Sequence, residues 1–239
     1  MLHLSVPGGY NNILLHSCCA PCSGAVIECL LQNGLRPTVF FSNSNIVPRE
    51  EYELRLSELR RYCNSLNVQL IEDEYDHDAW VDFVLKRHEA DAAEQKRLAK
   101  MPERGPRCLN CFKFRLMRAA RYAAANGFPV LTTTLASSRW KSLDQVDEAG
   151  RWATAGGSES VPPEDTRRSV ATAGVSEGIA PQSPGGAGGS ESVPPENGVL
   201  WWNQNWRRGG LQPRRSEIIC EQNFYNQTYC GCEFSKRHD

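Results

Sequence analysis

The 239-residue sequence is short of several things. No apolar run approaches the roughly 20 residues that a membrane-spanning helix needs, so no membrane partner is expected. Ile13 to Leu15 is too short for the core of a secretory leader, and no basic segment precedes it. A cytoplasmic location is expected on that basis, and structural disulfides are rare there. Neither sign of charge is in surplus: the net formal charge is −1, which excludes a global field that would select a partner. A glycine-rich anion cradle is also missing where the first strand ends, because Cys18-Cys19-Ala20-Pro21-Cys22 stands in its place. What is plentiful is cysteine, with ten residues. In a reducing compartment that number points to metal binding or thiol redox chemistry and not to a disulfide framework. The apolar fraction of 40% and the 9% aromatics suit a globular protein with a real core.

Along the chain, an apolar strand at 12–16 delivers three thiols to a turn. Ser23 is placed to cap a helix over 24–32, with Gly34 as its stop. Thr38-Val39-Phe40-Phe41 marks a second strand within 36–42. Tyr52, Leu56, Leu59, Cys63 and Leu66 recur on one helical face, after Pro48 at a first helical position. A third strand is expected over 67–71 and a helix around Trp80, Phe83, Val84 and Leu85. Lys96 to Arg121 holds nine Lys or Arg and one acid, Glu103. Cys108 and Cys111 open a helix there that runs to about Ala125, buried along Leu109, Phe112, Leu116, Ala119 and Ala123. A fourth strand follows over 128–134, then a helix through Leu143 and Val146. Strand and helix alternate, so the fold class is α/β: a Rossmann-like parallel sheet with helices on both faces.

Residues 156–198 differ. They are rich in Gly, Pro, Ser and Glu, and the segment Ala155–Glu164 recurs as Ala187–Glu196. Such a composition cannot offset its ordering entropy by burial, so a disordered insertion is expected. Residues 1–155 and 199–239 then form one α/β catalytic domain. Trp201, Trp202 and Trp206 follow the insertion, and Ile218 to Phe224 has a helical look.

Three constellations carry chemistry. Cys18, Cys19 and Cys22, with Cys108 and Cys111, offer five sulfurs at two loop ends. The second pair sits at a helix N-terminus beside Arg104 and Arg107, which favours thiolate, the form that binds soft metals. Four of the five can close a zinc site or an iron–sulfur cluster; vicinal cysteines suit the larger cluster better. Cys230-Gly231-Cys232 is the second constellation. A bridge across one glycine closes a strained, readily reduced ring, which suits a dithiol that gives up two electrons; a further pair of metal ligands is the other reading. The third is basic: Arg115, Arg118, Arg121, Arg207, Arg208, Arg214 and Arg215 can contact a phosphate backbone, with Trp201, Trp202, Tyr225 and Tyr229 to stack on bases. A solvated face with ordinary core aromatics explains the same residues equally well. His16 reads as a structural histidine, and Cys29, Cys63 and Cys220 as packing.

Five blocks, in order, resemble the QueH-type epoxyqueuosine reductases. They are Leu14 to Ser23; Asn45-Ile46 through Pro48 with Glu51, Tyr52 and Arg55; Arg107-Cys108 to Cys111-Phe112 with Arg115-Leu116; Thr132 to Leu135 with Ser138 and Lys141; and Glu217 to Ile219, Asn223 to Tyr225 and Tyr229 to Cys232 with Phe234-Ser235. The resemblance implies an oxidoreductase that removes the epoxide oxygen of epoxyqueuosine at the tRNA wobble position, the last step of queuosine synthesis, without cobalamin. It implies a 4Fe-4S cluster on Cys18, Cys19, Cys108 and Cys111, and a redox-active disulfide between the catalytic residues Cys230 and Cys232. The partners it implies are tRNA bearing epoxyqueuosine and an electron donor. Some members carry an aspartate, beside an additional iron, where Cys22 stands here; the cysteine departs from that pattern. Two rival readings are an iron–sulfur-dependent tRNA thiolation enzyme, which wants the missing phosphate loop, and a zinc-stabilised RNA-binding module.

Overall fold

The structure is a computed structural model that describes residues 2–86, 91–157 and 198–235. Strand β1 (Asn12–Ser17) lies at the centre of a five-stranded sheet. It is followed by helix α1 (Ala20–Gln32), β2 (Arg36–Phe41), α2 (Arg49–Ser65) and β3 (Leu70–Glu72). Helix α3 (His77–Val81) runs into a π-helical turn at Asp82–Lys86, then come α4 (Ala92–Lys100) and α5 (Pro106–Ala125). Strand β4 (Val130–Thr133), α6 (Leu143–Thr154), β5 (Leu200–Trp201) and α7 (Leu211–Glu221) complete the order. The strand order is β3-β2-β1-β4-β5 and every pairing is parallel. The α/β class therefore holds.

The sheet explains why β1 is an unbroken apolar run. A central parallel strand is covered on both faces, so it has no polar side to alternate with. Ile13, Leu14 and Leu15 are wholly buried, each contributing about 1.5–3 kcal/mol by leaving water. The chain runs outward from β1 through β2 to β3, then crosses to β4 on the other side. The reversal leaves a crevice beyond the carboxyl ends of β1 and β4, where α/β folds place ligands. All the chemistry-bearing turns lie on that edge.

Several elements differ from the sequence expectation. Helix α1 begins at Ala20, not at 24, because Pro21 is already at home in a first turn. Ser23 does not cap it; its hydroxyl donates back to the Cys19 carbonyl at 2.7 Å, and Cys19 is the N-cap. Cys22 thus lies in the first turn. Pro48 caps α2 from outside it. Strand β3 sits later and shorter than 67–71, and α7 starts earlier than 218. Helix α4 and strand β5 carry no sequence signal that we read. The proposed insertion at 156–198 lies outside the described residues except at its edges.

Helix α5 is buried on two sides. Leu116, Ala119 and Ala123 join the main core under the sheet. Cys111, Phe114 and Met117 join a second core with Trp80, Phe83, Val84 and Cys232. No helix among the described residues is long and apolar enough to cross a membrane.

Candidate metal and redox site

The first turn is built by β1 and held from three sides. Cys18 N–H donates to Thr134 Oγ1 at 3.2 Å, just past β4. Asn43 Nδ2 donates to the Ser17 carbonyl at 2.9 Å, just past β2. Ser137 Oγ donates to the Cys22 carbonyl at 3.0 Å. The outcome is a compact triplet: Cys18, Cys19 and Cys22 Sγ all lie within 4.8 Å of one another, a group able to hold a metal. Gln227 Nε2 donates to Cys19 Sγ at 2.6 Å.

Cys108 and Cys111 stand outside that triplet, one helical turn apart on α5. Arg104 N–H donates to Cys108 Sγ at 3.3 Å. Both thiols lie within electrostatic reach of Cys230. Cys232 shares the second core with Cys111. The last block is docked by α2 and the loop after β2. Arg55 donates to the Cys230 carbonyl at 3.0 Å, Val47 N–H donates to the Gly231 carbonyl at 2.9 Å, and Tyr229 Oη donates to the Val47 carbonyl at 2.9 Å. Gly231 has a φ of 109°, and a Cβ there would meet Arg55 and Ile46 at 3.0 Å, so glycine is required twice over.

The electrostatics divide each thiol group. Hydrogen bonds from Cys19 and Cys22, against the cost of burial, hold Cys18 well below the usual thiol range. The contacts with Cys18 and Cys22 push Cys19 up, and the contact with Cys18, with burial, pushes Cys22 up to about 11. Cys232 hydrogen-bonds to Cys230 and, with the charges of Lys141, Arg115 and Arg55, holds its thiol low; Cys232 is pushed up in return. Burial raises Cys108 to about 11 and also raises Cys111. Burial alone would depress Lys141, but the charges of Cys230, Cys18 and Cys22 outweigh it and keep the ammonium above its ordinary value. His16 is driven down to about 3 by burial and Arg115, so it is neutral. It hydrogen-bonds Thr133 Oγ1 at 2.7 Å and the Ser42 carbonyl at 3.2 Å, as a structural histidine does.

Lys141 enters the sequence reading only as part of the fourth block of the resemblance, with no role attached to it. Its ammonium is the shared neighbour of thiols from opposite ends of the chain. Arg115 is a correction. It is 1% exposed and turned inward, donating to the Ser42 carbonyl and Asn43 Oδ1, because the loop after β2 packs over it. Three of the other six arginines expected on a phosphate-binding face are also engaged by groups of the protein itself. Arg118 pairs with Asp73 at 2.8 Å, Arg214 with Glu28, Glu217 and Glu221, and Arg207 with the Ser138 and Lys141 carbonyls. Arg121 and Arg208 stay exposed, and Arg215 is half-buried. Trp201 donates to Asp147 at 2.8 Å, Trp202 is buried against Trp206, and Tyr225 keeps 37% of its surface. Cys29 and Cys63 are buried, as packing requires, whereas Cys220 is exposed.

The chain matches a family model described as epoxyqueuosine reductase QueH over residues 13–177 and 188–238. It is 35% identical over 234 residues to the epoxyqueuosine reductase QueH of Histophilus somni, covering 98% of this chain and 76% of that protein. The Haemophilus influenzae protein of the same description is 34% identical over 234 residues, covering 98% and 75%. That of Acinetobacter baylyi is 34% identical over 236 residues, covering 99% and 85%.

Proposed function

The chain belongs to the epoxyqueuosine reductase QueH family, and from that premise we propose that it converts epoxyqueuosine to queuosine at the tRNA wobble position without cobalamin. It is an oxidoreductase of tRNA queuosine biosynthesis. The observation that carries the reading is the gathering of thiols from distant parts of the chain: Cys18, Cys19 and Cys22 lie within 4.8 Å of one another, and Cys111 and Cys232 pack in one core.

Cys18, Cys19, Cys108 and Cys111 are the ligands we assign to a 4Fe-4S cluster. The donor set fits such a group. It is all thiol, the vicinal pair has its sulfurs 3.8 Å apart, and Lys141, Arg115 and Arg55 offset the negative charge that a thiolate-bound cluster carries. When bound, the cluster supplies electron transfer and Lewis-acidic iron. Cys22, the third sulfur of the triplet, is a ready donor for an additional iron.

Cys230 and Cys232 are assigned as the redox pair. Removing the epoxide oxygen breaks two C–O bonds, forms one C=C bond and releases water, which consumes two electrons and two protons. Oxidation of one dithiol to its disulfide releases two of each, so one pair serves one turnover. An electron donor of the thiol or reduced-carrier class then restores it. Lys141, Arg115 and Arg55 favour Cys230 as the thiolate. The thiolation rival is disfavoured by the Cys-rich turn in place of an anion cradle, and the zinc module by the family.

Anaerobic reconstitution with iron and sulfide, followed by incubation with epoxyqueuosine-containing tRNA and nucleoside analysis, tests the reading. Queuosine is the expected product. Zinc alone, without iron or acid-labile sulfide, or a cluster-loaded protein that leaves the epoxide intact in the presence of reductant, would overturn it.

A further inference from the structure

The turn that presents Lys141 to the thiols also presents a large aromatic ring to solvent. Trp140 is 62% exposed, the most exposed large apolar side chain among the described residues. A single exposed apolar side chain is ordinary on a protein surface; what sets this ring apart is the set of cations gathered around it and its place beside Lys141. The Arg139 guanidinium lies 4.9 Å from its ring centroid, so one face of the indole already carries a cation.

The turn is held rigidly. Arg104 donates to the Arg139 carbonyl at 2.9 Å and to the Trp140 carbonyl at 3.0 Å. Arg207 donates to the Lys141 carbonyl at 2.6 Å and to that of Ser138. Lys141 N–H donates to the Ser138 carbonyl at 3.2 Å. Carbonyls satisfy a guanidinium without neutralising it, so two positive charges remain behind the ring. They are close enough to feel each other, since Arg104 adds to burial in depressing Arg207. Arg104 also has a left-handed backbone, with φ 69°, and gives its own N–H to Cys108 Sγ. One residue therefore ties the rim turn to the cysteine site.

A flat apolar face with a stacked arginine and flanking uncompensated cations suits an unpaired nucleobase and its phosphates. Resting on the functional reading above, we propose that Trp140 is the platform on which a base flanking the wobble nucleotide stacks, with Arg139, Arg104 and Arg207 facing the adjacent phosphates. The base stays at the rim while the modified nucleotide enters beside Lys141.

The test is binding of an unmodified anticodon stem-loop RNA to the anaerobic holoenzyme, followed by anisotropy of a label on the RNA. Trp140→Ala should weaken binding about five- to a hundredfold, and Trp140→Phe should recover most of it. Arg139→Gln should lower the slope of log affinity against log salt by about one. Unchanged thermal unfolding of the alanine variant shows that the fold is kept. Tight wild-type binding with equal affinity in Trp140→Ala overturns the platform and leaves the enzyme assignment standing. Wild-type protein that binds no such RNA but reduces epoxyqueuosine in intact tRNA also overturns it. Failure to act on epoxyqueuosine-containing tRNA overturns the functional reading itself.

Discussion

Cys230 and Cys232 are separated by one glycine yet live in unlike surroundings. Cys230 is partly exposed among Lys141, Arg115 and Arg55; Cys232 is buried with Trp80 and Cys111. If the two form the proposed redox pair, the difference in burial favours attack by an external reductant on the Cys230 sulfur rather than on that of Cys232. Cys230→Ser and Cys232→Ser should each keep iron and sulfide content while multiple turnover falls to background. Full turnover in either variant would show that the dithiol has no part in the reaction. The cysteines were legible in the sequence because three thiols at a strand end have no packing explanation. The residues Lys141 and Arg115 were read, but their inward placement was not, because an inward-turned cation and a solvated one carry the same letter. Only the sulfurs and carbonyls around them, brought in by distant elements, distinguish the two.

At the scale of elements, the pairing of α6 with β5 rests on one missing side chain. Gly150 lies on the face of α6 that meets the Trp201 ring, and a Cβ there would come within 2.1 Å of Trp201 Cε2. The ring cannot simply swing away, since its Nε1 donates to Asp147 at 2.8 Å. Alanine gains about 0.5–1 kcal/mol in helix propensity, but overpacking costs about 1–3 kcal/mol. Gly150→Ala should therefore lower stability, read as a lower urea midpoint at unchanged m-value. Strands β1 and β2 and helices α2 and α5 could be read from their apolar runs and periods. Strand β5 could not. It is two residues long and exists only because Leu200 N–H and Trp202 N–H find β4-side carbonyls at 2.8 and 2.9 Å. Helix α4 buries only Leu98, so its polar sequence has no face to detect. The basic face of α5 misled for the converse reason: the loop after β2 covers Arg115 and takes its guanidinium on the Ser42 carbonyl and Asn43.

Taken whole, the molecule adds arginine contacts of two kinds to its two apolar cores. Arg104 and Arg207 grip main-chain carbonyls, which carry no proton to lose or gain, and Arg55 grips the Cys230 carbonyl as well as the Glu51 carboxylate. Arg214 instead ties α7 to α1 through the Glu28 carboxylate, at 2.7 Å, with Glu217 and Glu221 alongside. Arg214, against partial burial, holds the Glu28 carboxyl below its ordinary value. Its stabilisation is thus fully present above the unfolded carboxylate range and disappears as pH falls through the lowered value. Both partners are partly solvated, so the tie is worth less than about 1 kcal/mol. Urea unfolding of Glu28→Gln should differ from wild type near neutrality and converge with it in acid; a constant difference would show that the carboxylate charge is irrelevant. Mild acid therefore leaves both fastenings in place, and only strong acid, by protonating Glu28, releases the outer helix's tie while the carbonyl-held turn that carries Trp140 and Lys141 keeps its own.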